Sequence, residues 1–156
     1  MFYHKLLKNK SFDEKEWQNL SNTPVVNAWS GTAFERVCLE HVAQIKAALG
    51  ISGVCTEVST WQCPPDPDAG IYGSQIDLLI VRKDQVINLC EMKYSEADFI
   101  VNSQFVRDQK RKISDFKLKT GTKYAIHSTL ITTYGAAKNP YVGELQAVIT
   151  AEDLFR

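Results

Sequence analysis

The chain has 156 residues, of which 44% are hydrophobic and 23% are charged. A chain of this length can form one compact domain with a sizeable core. Its eighteen basic and eighteen acidic residues balance, so the overall charge identifies no polyanionic partner. We find no signal peptide and no apolar run long enough to span a bilayer, and we therefore expect a cytoplasmic protein without a membrane partner.

The beginning of the chain differs from the rest in composition. Residues 1–30 combine scattered aromatic side chains with many charged ones. This mixture fits the core less well than the rest of the chain does. Residues 31–156 are then predicted to form one α/β domain.

The first element of that domain is a predicted helix from Ala33 to Leu49, where apolar residues recur at helical spacing and Gly50 follows as a stop signal. Glu35 stands in the first turn of this predicted helix, on or beside its apolar stripe. Thr32 and Glu35 also have the spacing of a capping box, in which Glu35 would only bond the backbone at the helix start.

Three short strands are predicted next. The first runs from Gly53 to Cys63 and is followed by a loop at 64–70 that is rich in proline and aspartate. The other two, at 75–81 and 86–94, are rich in aliphatic and β-branched residues. The polar turn at 82–85 between them is typical of an antiparallel hairpin.

Three charged side chains interrupt the apolar strands of this hairpin. Asp77 lies near the start of one strand, and Glu91 and Lys93 lie at the end of the other. Side chains alternate across a strand, so Glu91 and Lys93 project from one face while Met92 points the other way. Because a hairpin places the start of one strand opposite the end of the next, we predict that the two carboxylates and the amine converge.

The negative charges of such a cluster need a partner, because removing a carboxylate from water costs several kcal/mol of free energy unless it is paired, hydrogen-bonded or metal-bound. Asp77 and Glu91 offer the oxygen ligands that Mg²⁺ or Mn²⁺ prefers, with the backbone carbonyl of Met92 as a third ligand. Lys93 would then position or help to deprotonate an attacking water. The alternative is a buried ion pair without a catalytic role, but two acids and one base leave surplus negative charge, which favours a cation.

The remaining predicted elements follow the hairpin. A second helix is predicted at 97–118, strands at 123–133 and 145–149, and a short terminal helix that Thr150 caps. Segment 93–123 contains eight basic and four acidic residues, a net charge of +4. That charge is compatible with contact to a phosphate backbone and equally with an ordinary solvated helix.

The hairpin residues resemble a known motif. Asp77 and the run Glu91-Met92-Lys93, each within a hydrophobic strand, are similar to the active site of the PD-(D/E)xK, or restriction-endonuclease-like, nuclease superfamily. Ile76 replaces the proline of that motif. The resemblance implies a three-layer α/β core, a mixed sheet flanked by helices in the order α-β-β-β-α-β-β-α, and metal-dependent cleavage of nucleic acid, with DNA as the expected substrate.

The resemblance also implies roles for residues on the helices. Family members often carry a glutamate on the first helix that reaches the metal through water, and Glu35 matches that position. In related nucleases a glutamine or basic residue on the helix after the second motif approaches the site. Gln109 and Arg111 are therefore candidates for phosphate contact, although a solvated helix face explains them as well.

A narrower resemblance involves the N-terminal segment. The run from Phe2 to Leu7, together with Phe34-Glu35 and the hairpin, is similar to the C-terminal nuclease-like domain of a group of prokaryotic AAA-type ATPases. This implies an ATPase as a partner, and it implies that residues 1–30 are a connecting segment that packs on the core. The chain lacks a Gly-x4-Gly-Lys-Ser/Thr stretch, so we expect it not to hydrolyse nucleotides. Because such domains have often lost activity, the alternative is an inactive module that docks nucleic acid or protein for an ATPase.

Overall fold

The computed structural model describes residues 24–156, and the bounds below refer to that part of the chain. No helix in it is both long enough and apolar enough to cross a membrane. In chain order, the helices and strands are α1 (Pro24–Glu40), α2 (Val42–Ala48), β1 (Thr56–Cys63), β2 (Ser74–Arg82), β3 (Val86–Lys93), α3 (Ser103–Thr120), β4 (Ala125–Thr132), β5 (Ala147–Thr150) and α4 (Ala151–Leu154), with 3-10 turns at Pro67–Ala69 and Val142–Glu144.

The five strands form one mixed sheet in the order β1-β2-β3-β4-β5. Strands β1, β2 and β3 are antiparallel neighbours, whereas β3, β4 and β5 are parallel. Helix α3 makes the crossover between β3 and β4. This architecture confirms the predicted α/β class and a mixed sheet flanked by helices.

The predicted boundary of the connecting segment falls inside α1. Residues 24–30 belong to this helix, whereas the predicted segment before them, including the run from Phe2 to Leu7, lies outside the described residues. Proline is favoured in the first turn of a helix, because its missing N–H would have no partner there. The part of α1 that the structure describes starts at Pro24, which suits this preference and lies well before the predicted start at Ala33.

The prediction of one helix up to Leu49 is wrong, because the chain forms two helices that meet at His41. The backbone of His41 has a ψ of 34°, which is not helical, and its imidazole Nδ1 lies 2.7 Å from the Val37 carbonyl oxygen. The capping-box alternative is also wrong. Thr32 and Glu35 lie well inside α1, where no helix start remains to be capped.

The core has two apolar layers, one on each face of the sheet. Leu78 and Ile80 of β2 pack with the residues of α1, α2 and α4 on one face. Leu79 packs on the other face with a cluster that includes Phe116 of α3. The sheet therefore lies between helices on both sides, and a charged group on the α3 face of β3 is covered by α3.

Strand β2 contains a bulge at the predicted site. Ser59 pairs with Leu79, but Trp61 pairs with Ile76, so that Asp77 and Leu78 together oppose one residue of β1. Such an extra residue bends the strand and redirects a side chain. The bulge consequently changes the direction of Asp77 relative to a regular strand.

The ends of α3 follow from its caps. The side chain of Asn102 accepts a hydrogen bond from the Phe105 N–H at 2.8 Å, which starts the helix later than predicted. Gly121 ends it in a left-handed conformation with a φ of 65°. At the terminal helix, Asp153 and Thr150 form the predicted capping box.

A buried carboxylate on α3 fixes the start of β2. Asp115 is fully buried, and it accepts hydrogen bonds from the backbone N–H of Tyr72 at 2.9 Å and from the hydroxyl of Ser74. Ser74 is the first residue of β2. Asp115 thus connects α3 with the strand that carries Asp77.

We expect Asp115→Ala to lower the free energy of unfolding by about 1–3 kcal/mol, because the Tyr72 N–H and the Ser74 hydroxyl both lose their buried acceptor. Chemical denaturation measures this change. Asp108→Ala is the matched control, since Asp108 lies on the same helix but is 40% exposed, and it should change stability by less than about 1 kcal/mol. Equal effects of the two substitutions would contradict the anchoring role of Asp115.

Candidate metal and phosphate site

The structure brings Asp77, Glu91 and Lys93 together at one end of the β2–β3 hairpin. The last paired residues at this end are Leu78 and Cys90. Beyond them, a carboxylate oxygen of Asp77 accepts a hydrogen bond from the Met92 N–H at 2.9 Å. The Asp77 side chain thus binds the backbone of β3 at the segment that carries Glu91 and Lys93.

Glu91 is a buried carboxylate whose side chain is only 7% exposed. It lies on β3, and Lys93 two residues later approaches its Oε1 atom at 3.4 Å. The side chain of Lys93 is 43% exposed. The predicted convergence of Glu91 and Lys93 on one strand face is therefore observed.

The environment of Asp77 opposes its negative charge. Burial raises the pKa of Asp77, the nearby Glu91 carboxylate raises it further, and together with smaller effects they bring it to about 6. The hydrogen bond from the Met92 N–H acts in the opposite direction. Asp77 and Glu91 are thus two carboxylates that share one region, an arrangement that favours a bound cation or proton.

Lys112 of α3 is a site residue that the sequence interpretation missed. Its Nζ atom lies 2.7 Å from Oε2 of Glu91, and its side chain is 21% exposed. Helical periodicity contained the signal, because Lys112 stands three residues after Gln109 and four before Phe116, both of which are buried. A long basic side chain on that helix face can reach the neighbouring strand with its ammonium group.

Lys112 changes the charge count of the cluster. The expected surplus of negative charge rested on two acids and one base, whereas the structure contains two acids and two bases. Both oxygens of Glu91 face an ammonium group. The cluster is consequently close to neutral when all four side chains are ionised.

A cavity of about 230 Å³ opens beside Glu91. Such a space is several times larger than one water molecule requires. Gln109 is 5% exposed, and the Arg111 guanidinium lies 5.4 Å from the centre of the Tyr72 ring. The lining residues are Gly73, Ser74, Glu91, Lys93, Phe105, Asp108, Gln109, Arg111 and Lys112.

Glu35 lies on α1, and its side chain is exposed. Its negative charge is one of the smaller influences that raise the pKa of Asp77, after burial and Glu91. It also raises the pKa of the buried Cys38 thiol, for which burial is the main cause. Glu35 is therefore close enough to Asp77 for an electrostatic effect.

The oxygen ligands of the site suit a hard divalent cation, but they are few. Residues 24–156 contain no group of three or more His, Cys, Asp or Glu side chains arranged to hold a metal ion. A metal here would rely on the carboxylates of Asp77 and Glu91 and on the Met92 carbonyl. Mg²⁺ tolerates so few protein ligands, because it usually retains several waters and binds substrate phosphate.

No family model matches the chain, and no curated protein matches it. Among solved structures, the chain is similar to the crystal structure of a protein of unknown function, AF1548, with a TM-score of 0.49 and 14% sequence identity. The similarity covers 76% of this chain and 64% of that one, which is less than two thirds of its length.

The raised pKa of Asp77 predicts a pH dependence of stability. In the folded protein the pKa is about 6, against 3.8 for an unperturbed aspartate. The charge of Asp77 therefore opposes folding. This penalty is absent below the unfolded value, grows as the pH rises between the two values, and is complete above the folded one.

We expect Asp77→Asn, which keeps an acceptor for the Met92 N–H, to raise the free energy of unfolding by on the order of 1–3 kcal/mol at about pH 8, after allowance for solvent screening. At about pH 4 the two proteins should have nearly equal stability. Denaturant titration at both pH values measures this, with the exposed Asp98→Asn as the control. A variant no more stable than wild type at the higher pH would contradict the expectation.

Proposed function

We propose that the protein is a metal-dependent nuclease of the PD-(D/E)xK type, with a restriction-endonuclease-like core. The observation that carries the proposal is the meeting of Asp77, Glu91 and Lys93 at the end of a bulged hairpin, beside a cavity lined by cationic groups. The order of elements supports it as well, since a mixed sheet with helices on both faces is what that family leads one to expect.

The role that we propose for each residue follows from the chemistry of its side chain or backbone group. Asp77, Glu91 and the Met92 carbonyl hold Mg²⁺ or Mn²⁺, which would lower the pKa of a bound water and neutralise charge on the phosphodiester. Lys93 is partly exposed and next to Glu91, so its ammonium can donate a hydrogen bond that positions the attacking water, and its positive charge favours loss of a proton from that water. Glu35 acts from α1 through solvent, which fits its exposure and its influence on Asp77.

The surface around the cavity supports a nucleic-acid substrate. Lys93, Arg111 and Lys112 line the cavity itself, where they can neutralise a phosphate group. Further exposed basic residues on α3 could follow the phosphate backbone away from the site; they are Arg107, Lys110, Lys117 and Lys119. Such contacts position a nucleic acid without reading its sequence, so we propose DNA as the substrate without assigning base specificity.

The proposed link to an AAA-type ATPase rests on the resemblance in sequence. Part of it, the Phe34-Glu35 pair on α1 and the hairpin motifs, lies in the described residues and adjoins the proposed site. An ATPase partner would deliver nucleic acid to the cavity, and the nuclease-like domain would cut or hold it.

The proposal is tested by incubation of the protein with DNA and Mg²⁺ or Mn²⁺. We expect cleavage by the wild type and a loss of at least about a hundredfold in Lys93→Ala, because proton transfer and water positioning contribute that much in typical enzymes. Asp77→Asn, purified in the same way, should lose activity as well, which excludes a contaminating nuclease.

Lys83→Ala is the matched control for the cleavage assay. Lys83 is an exposed lysine in the turn between β2 and β3 and has no part in the proposed site. Its substitution should leave the rate of cleavage unchanged. Equal cleavage by wild type and Lys93→Ala would remove the assignment of Lys93.

A second candidate function is favoured by Lys112. Because both oxygens of Glu91 have ammonium partners, the charge of Glu91 is balanced without a metal. An inactive nuclease-like domain that docks nucleic acid or protein for an ATPase would need nothing more. The same lysines would serve it as phosphate contacts.

Calorimetric titration with Mn²⁺ distinguishes the two functions. The nuclease is expected to bind Mn²⁺ saturably, and Asp77→Asn should abolish this binding because it removes an anionic oxygen ligand. Asp98→Asn, an exposed aspartate after the hairpin, should bind as the wild type does. No heat of binding up to millimolar metal, with or without DNA, would favour the docking module.

A further inference from the structure

The contact between Lys112 and Glu91 is the shortest ion pair within the proposed site. Its 2.7 Å separation is that of a charge-assisted hydrogen bond, whereas the Lys93 contact to the same carboxylate measures 3.4 Å. Lys112 is also the less exposed of the two lysines, at 21% against 43%. Water screens the Lys112 contact less, so Lys112 is the stronger partner of Glu91.

A cation that binds Glu91 competes with this ammonium group. The carboxylate has two oxygens, and Lys112 occupies the acceptor site of Oε2. An ammonium at this distance also repels an incoming divalent ion. A metal ion that binds Glu91 through Oε2 must therefore displace this ammonium group or tolerate its repulsion.

The cavity offers Lys112 a second partner. Its ammonium lies at the wall of the cavity, together with Lys93 and Arg111. A phosphodiester in that space would present two non-bridging oxygens that share one negative charge, so it could replace the carboxylate of Glu91 as the acceptor once a metal ion neutralises Glu91. Because the lysine stem is flexible, the ammonium can turn from the carboxylate to the phosphate without movement of α3.

We propose that Lys112 couples metal binding to substrate binding: it occupies Glu91 when the cavity is empty and passes to a substrate phosphate when the cavity is filled. This inference rests on the proposed nuclease function. It adds a regulation of metal binding by Lys112, a residue that is not part of the family motif. Coupling between two ligands is reciprocal, so nucleic acid strengthens metal binding by the same factor as metal strengthens nucleic-acid binding.

The test is the affinity for Mn²⁺, measured by calorimetry on the full chain without nucleic acid. Lys112→Met removes the competing ammonium and is expected to bind Mn²⁺ about tenfold more tightly than the wild type, within the usual range of coupling between sites. Lys112→Arg keeps the charge and should resemble the wild type. Lys83→Met is the matched control, since Lys83 is exposed in the turn between β2 and β3 and has no part in the proposed site.

The second measurement adds a short duplex with phosphorothioate linkages, which resist cleavage and keep their charge. After subtraction of metal uptake by the duplex alone, the duplex is expected to tighten Mn²⁺ binding to the wild type about tenfold. It should leave Lys112→Met nearly unchanged. If Lys112→Met does not fold by circular dichroism, Lys112→Gln, which keeps a donor without the charge, carries the same expectations.

The outcomes separate this inference from the proposed function. Equal or weaker Mn²⁺ binding by Lys112→Met, with saturable binding by the wild type, overturns the coupling and leaves the metal site standing. No Mn²⁺ binding by any of the proteins overturns both. Binding by Lys112→Met alone, or by the wild type only with the duplex, supports the coupling strongly.

Discussion

The buried carboxylate of Glu91 is the constraint on which the arrangement of the site depends. A charge in the apolar interior of a sheet face persists only if its surroundings supply opposite charge or hydrogen bonds. Lys93 supplies one partner from the same strand, and Lys112 supplies the other from α3. The helix that covers this face of the sheet thus contributes one of the two positive charges that offset Glu91. The packing of α3 on the sheet and the electrostatics of the site thus depend on the same contact.

The bulge in β2 determines where the carboxylate of Asp77 lies. In a regular antiparallel ladder, pairing would continue past Leu78 and Cys90, and Asp77 would project from a face of the sheet. With two residues of β2 opposite one of β1, the Asp77 side chain instead accepts a hydrogen bond from the Met92 N–H. That bond and the burial of Asp77 have opposite effects on its pKa, and burial, with the charge of Glu91, prevails.

Sequence patterns predicted what depends on periodicity and missed what depends on tertiary contact. Alternation in the hairpin was enough to place Glu91 and Lys93 on one face, and the aliphatic strands gave the α/β class. The break at His41 was not predictable in this way, because apolar residues keep their helical spacing across it. Lys112 was missed because helical spacing places it on the buried side of α3 without showing which group its ammonium contacts, and the packing of α3 on β3 shows that this group is a carboxylate.

The distribution of positive charge separates two parts of the proposed site. Lys93 and Lys112 both approach Glu91, whereas none of the ion pairs in residues 24–156 involves Asp77. Lys112 is the last of the influences on the pKa of Asp77, and burial and the charge of Glu91, which raise that pKa, prevail over it. Asp77 is consequently the less compensated of the two carboxylates. In the proposed function a divalent ion would therefore enter at the Asp77 side, with the phosphate on the lysine side. Glu91 lies between them, so its partner in the resting state decides how readily the two ligands bind together.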